Sequence, residues 1–325
     1  MKTRHHTIFS MICAVLLSLL IGGMVTGCAT IDNTKQDRAS FDEMKELNDQ
    51  WQKERAEDPA LNVELPEMTA EEHEALGDRY RNKKDYAKAF LQYEKSLALD
   101  PDNQRVQYKQ GMLFLKTAKY TEAAASFQAV LKKEPRQAAA HEGLGIAFFK
   151  LQKYDKAEKH LLTAAAWEPK RWKSRNYLGA IYDREIQYDK AIEQYQQAIR
   201  FRPSDGALYN NLGVSLSLAG RYDESVKTLM KALENDGPKE KIYNNLGIVL
   251  AKSGRYPAAL DAFKKASNSA KAYNNIGCMY MADGRYQKAS EALEKAIAVS
   301  PVFYTLANEN LKKVQLKDAV EQADK

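Results

Sequence analysis

A glycine recurs at a fixed spacing through most of the chain. Six glycines are 34 residues apart, and a seventh follows after 30 residues. Each is followed nine residues later by a tyrosine and twelve residues later by an alanine or, once, a serine. A period near 34 predicts a stacked array of short repeats, not a globular enzyme domain. The glycines are Gly77, Gly111, Gly145, Gly179, Gly213, Gly247 and Gly277.

Each period has the pattern of two helices joined by a turn. Around Gly247, Tyr243 and Leu250 recur at helical spacing, which predicts one buried face. Glycine in a helix costs about 1 kcal/mol relative to alanine, so Gly247 indicates a close approach of the partner helix. We expect the small residue twelve positions later, here Ala259, to be the other side of that contact. Glycine turns such as Gly254, and a proline after most second helices, favour helix ends there.

Small residues at positions 8 and 20, an aromatic residue at position 17 and proline at position 32 of a 34-residue unit resemble the tetratricopeptide repeat. The resemblance covers about residues 70–303, within an array of 67–303. It implies an all-α fold, a right-handed α-solenoid of about seven helix–turn–helix repeats, with a C-terminal capping helix at 304–325. The short sixth repeat lacks the closing proline turn, so the sequence does not fix the superhelix angle where this repeat meets the next. The repeats are expected near 70–103, 104–137, 138–171, 172–205, 206–239, 240–269 and 270–303.

Residues 1–27 have the pattern of a signal peptide. Lys2 and Arg4 precede an apolar run that is short for a membrane span. The Val-Thr-Gly that precedes Cys28 resembles the lipobox of bacterial lipoproteins. That resemblance implies acylation of Cys28 as the mature N-terminus and an anchor in the lipid bilayer. Ala29 after it favours the periplasmic face of the outer membrane. The alternatives are an ordinary cleaved signal and an uncleaved anchor helix.

Residues 28–66 are expected to form an acidic tether. The chain carries +6, residues 1–27 contribute +2 and residues 29–66 contribute −5, so 67–325 carry +9. Four apolar residues at helical spacing predict a short amphipathic helix near 40–56. That helix either docks on the basic array or a partner, or belongs to a solvated spacer. The four residues are Phe41, Met44, Leu47 and Trp51.

The family resemblance implies that the first helices line a groove. Asparagines at positions 5 and 6 offer donors and acceptors that would pair with the backbone of an extended peptide. Apolar residues at position 9 would take its side chains. Equally, these asparagines bond locally as repeat consensus, and the apolar residues pack between helices. The candidate groove residues are Asn176, Asn210, Asn211, Asn244, Asn245, Asn274, Asn275, Lys241, Lys271, Ile146, Val214 and Ile248.

The sequence contains no motif for a metal site, a phosphate loop or a catalytic triad. His73 and His141 are expected to be packed or surface residues. Cys278 is expected to be a small packing or groove residue and not a nucleophile, because no His/Asp pattern accompanies it. We therefore predict no catalytic residues, no metal and no cofactor. An exported, lipid-anchored chain is not expected to bind nucleic acid.

These observations predict a non-catalytic scaffold for protein partners, with an extended peptide as one form of partner. The architecture resembles tetratricopeptide lipoproteins that assist pilus or secretion assembly in the periplasm, including the Tad-type group. An adaptor for cell-wall enzymes and an accessory factor for polysaccharide export are the alternatives. The asparagines concentrate in the last four repeats, which favours binding there. The partner and the oligomeric state stay open.

Overall fold

The computed structural model describes residues 68–300 and 304–323, together with Glu46, Asp49 and Lys53. These residues form helices and no strand, so the predicted all-α class is confirmed. The helices are α1 (Ala70–Asn82), α2 (Tyr86–Leu99), α3 (Gln104–Lys116), α4 (Tyr120–Lys133), α5 (Ala138–Lys150), α6 (Tyr154–Trp167), α7 (Trp172–Arg184), α8 (Tyr188–Phe201), α9 (Gly206–Leu218), α10 (Tyr222–Asp236), α11 (Glu240–Lys252), α12 (Tyr256–Ala266), α13 (Ser269–Ala282), α14 (Tyr286–Ala298) and α15 (Thr305–Ala323).

The predicted signal peptide, Cys28 and most of the 28–66 tether lie outside the described residues. Glu46, Asp49 and Lys53 are helical and exposed. Within the described part of the chain, no helix combines the length and the apolar composition that a membrane span needs.

Consecutive helices pack as pairs, and α15 packs against α14 and α13. Seven pairs and a final helix match the predicted number of repeats and the capping helix. The chain divides into two compact units, 1–178 and 179–325, with the division inside α7. We call them the first and the second unit and describe each by itself.

The repeating glycine lies against a large side chain sixteen residues later. A Cβ on Gly247 would lie 2.6 Å from the ring of Phe263, and one on Gly213 would lie 2.7 Å from Leu229. The expected partner twelve residues later also contributes, but through its backbone: the Ala157 carbonyl is 3.2 Å from such a Cβ on Gly145. That partner is fully buried in all seven repeats: Ala89, Ala123, Ala157, Ala191, Ser225, Ala259 and Ala289.

The turn between the two helices places one residue of every repeat in the left-handed backbone region. The last three repeats have glycine there, as the sequence predicts. The first four repeats adopt the same conformation with other residue types, a feature that the sequence does not reveal. The seven residues are Lys84, Ala118, Gln152, Ile186, Gly220, Gly254 and Gly284.

The short sixth repeat ends in a three-residue step between helices. α12 stops at Ala266, and α13 begins three residues later. The side chain of Asn268 caps α13, because its Oδ1 accepts the backbone N–H of Lys271 at 2.9 Å. A shorter second helix and a capped connection therefore replace the proline turn.

Replacing Ile186 with glycine is expected to stabilise the protein. Ile186 has φ 62° and is 71% exposed, so its branched side chain is strained and buries little surface. A left-handed conformation costs about 1–2 kcal/mol for an L-residue, and the greater freedom of glycine in the unfolded chain offsets part of that gain. We expect the free energy of unfolding, measured by urea titration, to rise by about 1 kcal/mol. Gly220→Ala at the equivalent turn is the reciprocal control and should destabilise. A loss of stability in Ile186→Gly would contradict the strain.

Candidate functional site

The first helices of the second unit are neighbours: α9 packs on α11, and α11 packs on α13. Residues four, seven and eleven positions apart share one side of an α-helix, so each of these helices presents a stripe. The three stripes occupy equivalent repeat positions and together form what we call the first-helix surface. It comprises Ala207, Asn211, Val214 and Leu218 of α9, Lys241, Asn245, Ile248 and Lys252 of α11, and Lys271, Asn275, Cys278 and Ala282 of α13.

Polar and apolar groups alternate with cations on this surface. Lys241, Lys252 and Lys271 are exposed. The same surface carries half-buried residues of two kinds, the amides Asn211 and Asn275 and the aliphatic Val214, Leu218 and Ile248. The surface therefore offers positive charge at its exposed positions and hydrogen-bonding and apolar groups at its partly covered positions.

Three of the predicted groove asparagines join the repeats to one another. Asn245 donates from Nδ2 to Oδ1 of Asn210 at 2.8 Å, and both residues are buried. Asn310 of α15 donates in the same way to Asn274 at 3.0 Å, and also reaches Sγ of Cys278 at 3.3 Å. These amides satisfy each other, so their first role is to hold successive first helices together.

The same junction is built from charged groups in the first unit. Glu74 is 4% exposed and accepts from Arg105 and, at 2.6 Å, from Nζ of Lys109. Burial alone would raise the pKa of Glu74, but the hydrogen bonds from Arg105 and Lys109 outweigh it and hold that pKa below its usual range. Glu142 likewise accepts the backbone N–H and the hydroxyl of Ser174.

The other predicted groove residues fall in both units. Ile146 of α5 and Asn176 of α7 belong to the first unit and are half-buried. Asn244 of the second unit is half-buried on α11, beside the stripe defined above. Val214, Ile248, Lys241 and Lys271 do share the first-helix surface.

Lys252 was missed at the sequence level, although it occupies a groove-lining position of its repeat. It remains exposed, yet the surrounding protein desolvates its ammonium enough to lower its pKa. Within the described residues, no carboxylate forms an ion pair with Lys252 or with Lys271. A comparison of position 13 across the repeats would have identified Lys252.

Two family models match the chain. The model described as "Cilia and flagella-associated protein 70 C-terminal domain" matches residues 35–275, and the model described as "Tetratricopeptide repeat" matches residues 270–303. The chain belongs to this tetratricopeptide-repeat family. The first match covers most of the chain, and the second coincides with the seventh repeat.

Solved structures agree with the fold. The chain is similar to a tetratricopeptide repeat protein from Parabacteroides merdae ATCC 43184, with 17% identity over 76% of this chain and 98% of that chain, and a TM-score of 0.54. Shorter likenesses, with TM-scores of 0.46 and 0.47, link it to the MamA protein and to YrrB, "a TPR protein with an unusual peptide-binding site". Their identities are 29% and 22%; they cover 51% and 58% of this chain, and 91% and 100% of those chains. No curated protein matches the chain.

In the second, third and fourth repeats, position 4 links the first helix to the preceding proline turn. Gln107 donates to the carbonyl of Pro101 at 2.7 Å, and His141 Nε2 contacts that of Pro135 at 3.0 Å. A carbonyl only accepts, so His141 carries its proton on Nε2. His141 is therefore a structural residue, as the sequence predicts. Among the described residues, no group of three His, Cys, Asp or Glu side chains is arranged to hold a metal ion.

Nδ1 of His141 also lies 2.8 Å from Nδ1 of His160. When His141 is neutral, with its proton on Nε2, the proton of this contact lies on Nδ1 of His160. Burial, the charge of His141 and then that of Lys159 lower the pKa of His160 to about 4. The first repeat builds the same contact from His73 and Gln92, with 2.7 Å between His73 Nδ1 and Gln92 Oε1.

A buried carboxyl group in the second unit has the opposite behaviour. Asp183 accepts the hydroxyl of Tyr195 at 2.9 Å. Burial raises the pKa of Asp183 to about 6, against the effect of the neighbouring Ser215 hydroxyl and of the hydrogen bond from Tyr195. Its folded pKa lies above the unfolded one, so it stabilises the fold as pH falls through about 6.

The His160→Gln variant is expected to lose part of the acid sensitivity of the protein. The unfolded chain protonates this histidine near its ordinary 6.5 and the folded chain only near 4, so its contribution to stability is present above 6.5 and is lost as pH falls toward 4. We expect a difference on the order of 1 kcal/mol, because the half-exposed ring is screened. Urea titrations between these pH values measure it. Asp183 is present in both proteins and cancels in the difference. Identical pH dependence of the two proteins would contradict this assignment.

Proposed function

We propose that the chain is a non-catalytic scaffold whose second unit binds an extended peptide segment of a protein partner. The tetratricopeptide-repeat family supports interaction with proteins as the general role. The observation that carries the proposal is the first-helix surface, where Asn211 and Asn275 lie half-buried beside Val214 and Ile248. Amides that both donate and accept suit the backbone of a guest, and aliphatic neighbours suit its side chains.

The hydrogen bonds between repeats distinguish two groups of asparagines. Asn210, Asn245 and Asn274 have buried partners within the protein itself. Asn211 and Asn275 keep part of their surface exposed, whereas Asn245 on the same surface is buried, so we assign Asn211 and Asn275 to partner contact.

Site-specific crosslinking tests this assignment. A photoreactive residue at 211 or 275 is expected to capture a discrete set of protein partners in cells, because these positions face the bound segment. The matched control is the same residue at exposed Asn235 on α10, a second helix, which should capture none of that set. Identical capture from 235 and 275 would contradict peptide binding on this surface.

We further propose that acylated Cys28 anchors the chain to the outer membrane, facing the periplasm. The supporting observation is the run of charge, apolar residues and Val-Thr-Gly that leads to Cys28. In this setting, the scaffold would assist assembly of a pilus or secretion apparatus. Adaptors of cell-wall enzymes and accessory factors of polysaccharide export share the same build and stay as alternatives.

Replacing Cys28 with alanine is expected to release the protein from the membrane fraction. Several acyl chains hold a protein to a bilayer stably, whereas a chain without them has no such anchor. Fractionation and immunoblotting of the full chain measure the change, with Cys278→Ala as the control that retains Cys28. Membrane retention of the Cys28→Ala variant would count against the lipid anchor.

A further inference from the structure

The first helix of a repeat has a side that packs on the repeat before it. Positions 3, 7 and 10 share that side, because residues four and seven positions apart lie on one side of an α-helix. Ser174 at position 3 shows the contact, since its backbone N–H and its hydroxyl both donate to Glu142 of the preceding repeat. Position 7 is buried in all six repeats that follow another: Gln110, Leu144, Leu178, Leu212, Leu246 and Ile276.

The described array begins with α1, and there the same side is not buried. Leu76 at position 7 is half-buried, and so is Tyr80 one turn later. Glu72 at position 3 and Arg79 at position 10 are exposed, as is Lys83 directly after α1. We call these five residues the upstream face of α1. Its middle is apolar, with an acid in the first turn of α1 and bases at the other end.

The last repeat of the array is covered by a helix that does not belong to a pair. α15 packs on α14 and α13, and its Ala307 and Val314 are fully buried. A terminal repeat needs such a cover, because each repeat buries its core only against a neighbour. The upstream face of α1 therefore calls for a helix that has an apolar side bordered by charges of both signs.

The chain itself contains a segment of this kind shortly before α1. Glu46, Asp49 and Lys53 are helical and exposed. With about 100° of rotation per residue these three share one side of a helix, and the apolar residues of the segment fall on the opposite side. The family match also begins in this part of the chain, at residue 35, about one repeat length before Ala70. The apolar residues are Met44, Leu47 and Trp51.

The apolar residues of the two helices match in an antiparallel register. When Trp51 lies beside Leu76, one turn further along each helix sets Leu47 beside Tyr80. The connection permits this register, because packed helices lie about 8–10 Å apart and residues 56–69 span several times that distance when extended.

Charge selects the antiparallel direction. The register that sets Trp51 beside Leu76 also brings Arg55 level with Glu72, and Glu43 level with Lys83, so opposite charges meet at both ends. In the parallel direction, with Leu47 beside Leu76, Glu43 would lie beside Glu72, and like charges repel.

We propose that residues 41–55 form a helix that packs antiparallel on the upstream face of α1 and covers the first repeat. The occupant of this face is thus a segment of the chain itself. Docking would also shorten the tether that follows Cys28. Residues 29–40 span about 20 Å as a flexible coil, whereas residues 29–66 span about 35 Å. The inference goes beyond the proposed function and does not depend on which partner the second unit binds.

Disulfide formation within the full chain tests the docked arrangement. The three native cysteines are replaced by serine, and two variants share Glu43→Cys: one adds Lys83→Cys and the other adds Glu72→Cys. We expect the 43–83 disulfide to form at least about tenfold faster than the 43–72 disulfide, because only the first pair is held close. Gel mobility and mass spectrometry of the oxidised monomer measure both rates.

A segment that is not docked predicts the reverse order, because residue 72 is nearer to residue 43 along the chain and a shorter loop closes more readily. Equal rates, or faster formation of the 43–72 disulfide, therefore overturn the proposal. Both added positions on α1 are exposed, so neither variant removes a core side chain.

The fluorescence of Trp51 locates the apolar side of the segment. The other two tryptophans are removed by Trp167→Phe and Trp172→Phe. We expect Trp51 to emit at a shorter wavelength than tryptophan in water, and Leu76→Lys to shift that emission to longer wavelength. The matched variant Leu316→Lys, at a 69% exposed leucine of α15, should leave the emission unchanged.

Three outcomes of the fluorescence measurement would overturn the proposal. Emission typical of tryptophan in water before any change at Leu76 assigns residues 41–55 to a solvated spacer. Emission that is insensitive to Leu76→Lys places Trp51 elsewhere on the protein. Emission that shifts to shorter wavelength only on addition of phosphatidylglycerol vesicles assigns the segment to the membrane. None of these outcomes bears on capture from positions 211 and 275, which tests the proposed function separately.

Discussion

The contact between a helical glycine and the large side chain sixteen residues later is the constraint on which each repeat depends. A Cβ at Gly77 or Gly247 would lie about as close to the opposing ring, 2.6 Å in both cases, as a covalent neighbour two bonds away. No rotamer of a fully buried Tyr93 or Phe263 opens that space cheaply, since interiors are close-packed. The glycine therefore sets how closely the two helices of a repeat pack. That approach also places the small residue at position 20 completely out of solvent.

Once the helix pairs are set, the junctions between repeats decide which side chains remain available. The first unit joins its first helices with carboxylates. Glu74 and Asp78 engage Lys109, and Glu142 engages Arg171 and Ser174. Arg105 and Lys109 are thus paired within the fold. The second unit joins its first helices with the amide pairs Asn210–Asn245 and Asn274–Asn310.

The period of the sequence predicts most of the fold, because glycine, tyrosine and alanine report steric requirements that repeat unchanged. What it could not predict depends on pairs of residues in different repeats. Asn210 and Asn245 look alike in the sequence, and Asn210 and Asn211 are adjacent, yet only the packing of α9 on α11 shows which amides face each other. The left-handed conformation of Ile186 could not be predicted for a different reason. A branched side chain normally disfavours that conformation, and tertiary packing overrides the preference here. Lys252 could not be predicted as a surface residue of interest, because one exposed lysine on a helix does not indicate a role until its neighbours in the structure are known.

The change in junction chemistry has a consequence for binding. An amide pair forms a hydrogen bond without net charge, so it neutralises no nearby lysine. A carboxylate junction does neutralise its neighbours, and breaking it to admit a guest would leave a buried charge unpaired, which is costly. A repeat joined by Asn210 and Asn245 can therefore keep its packing without a carboxylate at the junction. Asn210 and Asn245, which the sequence presents as binding residues, act instead by replacing a charged junction between repeats with a neutral one.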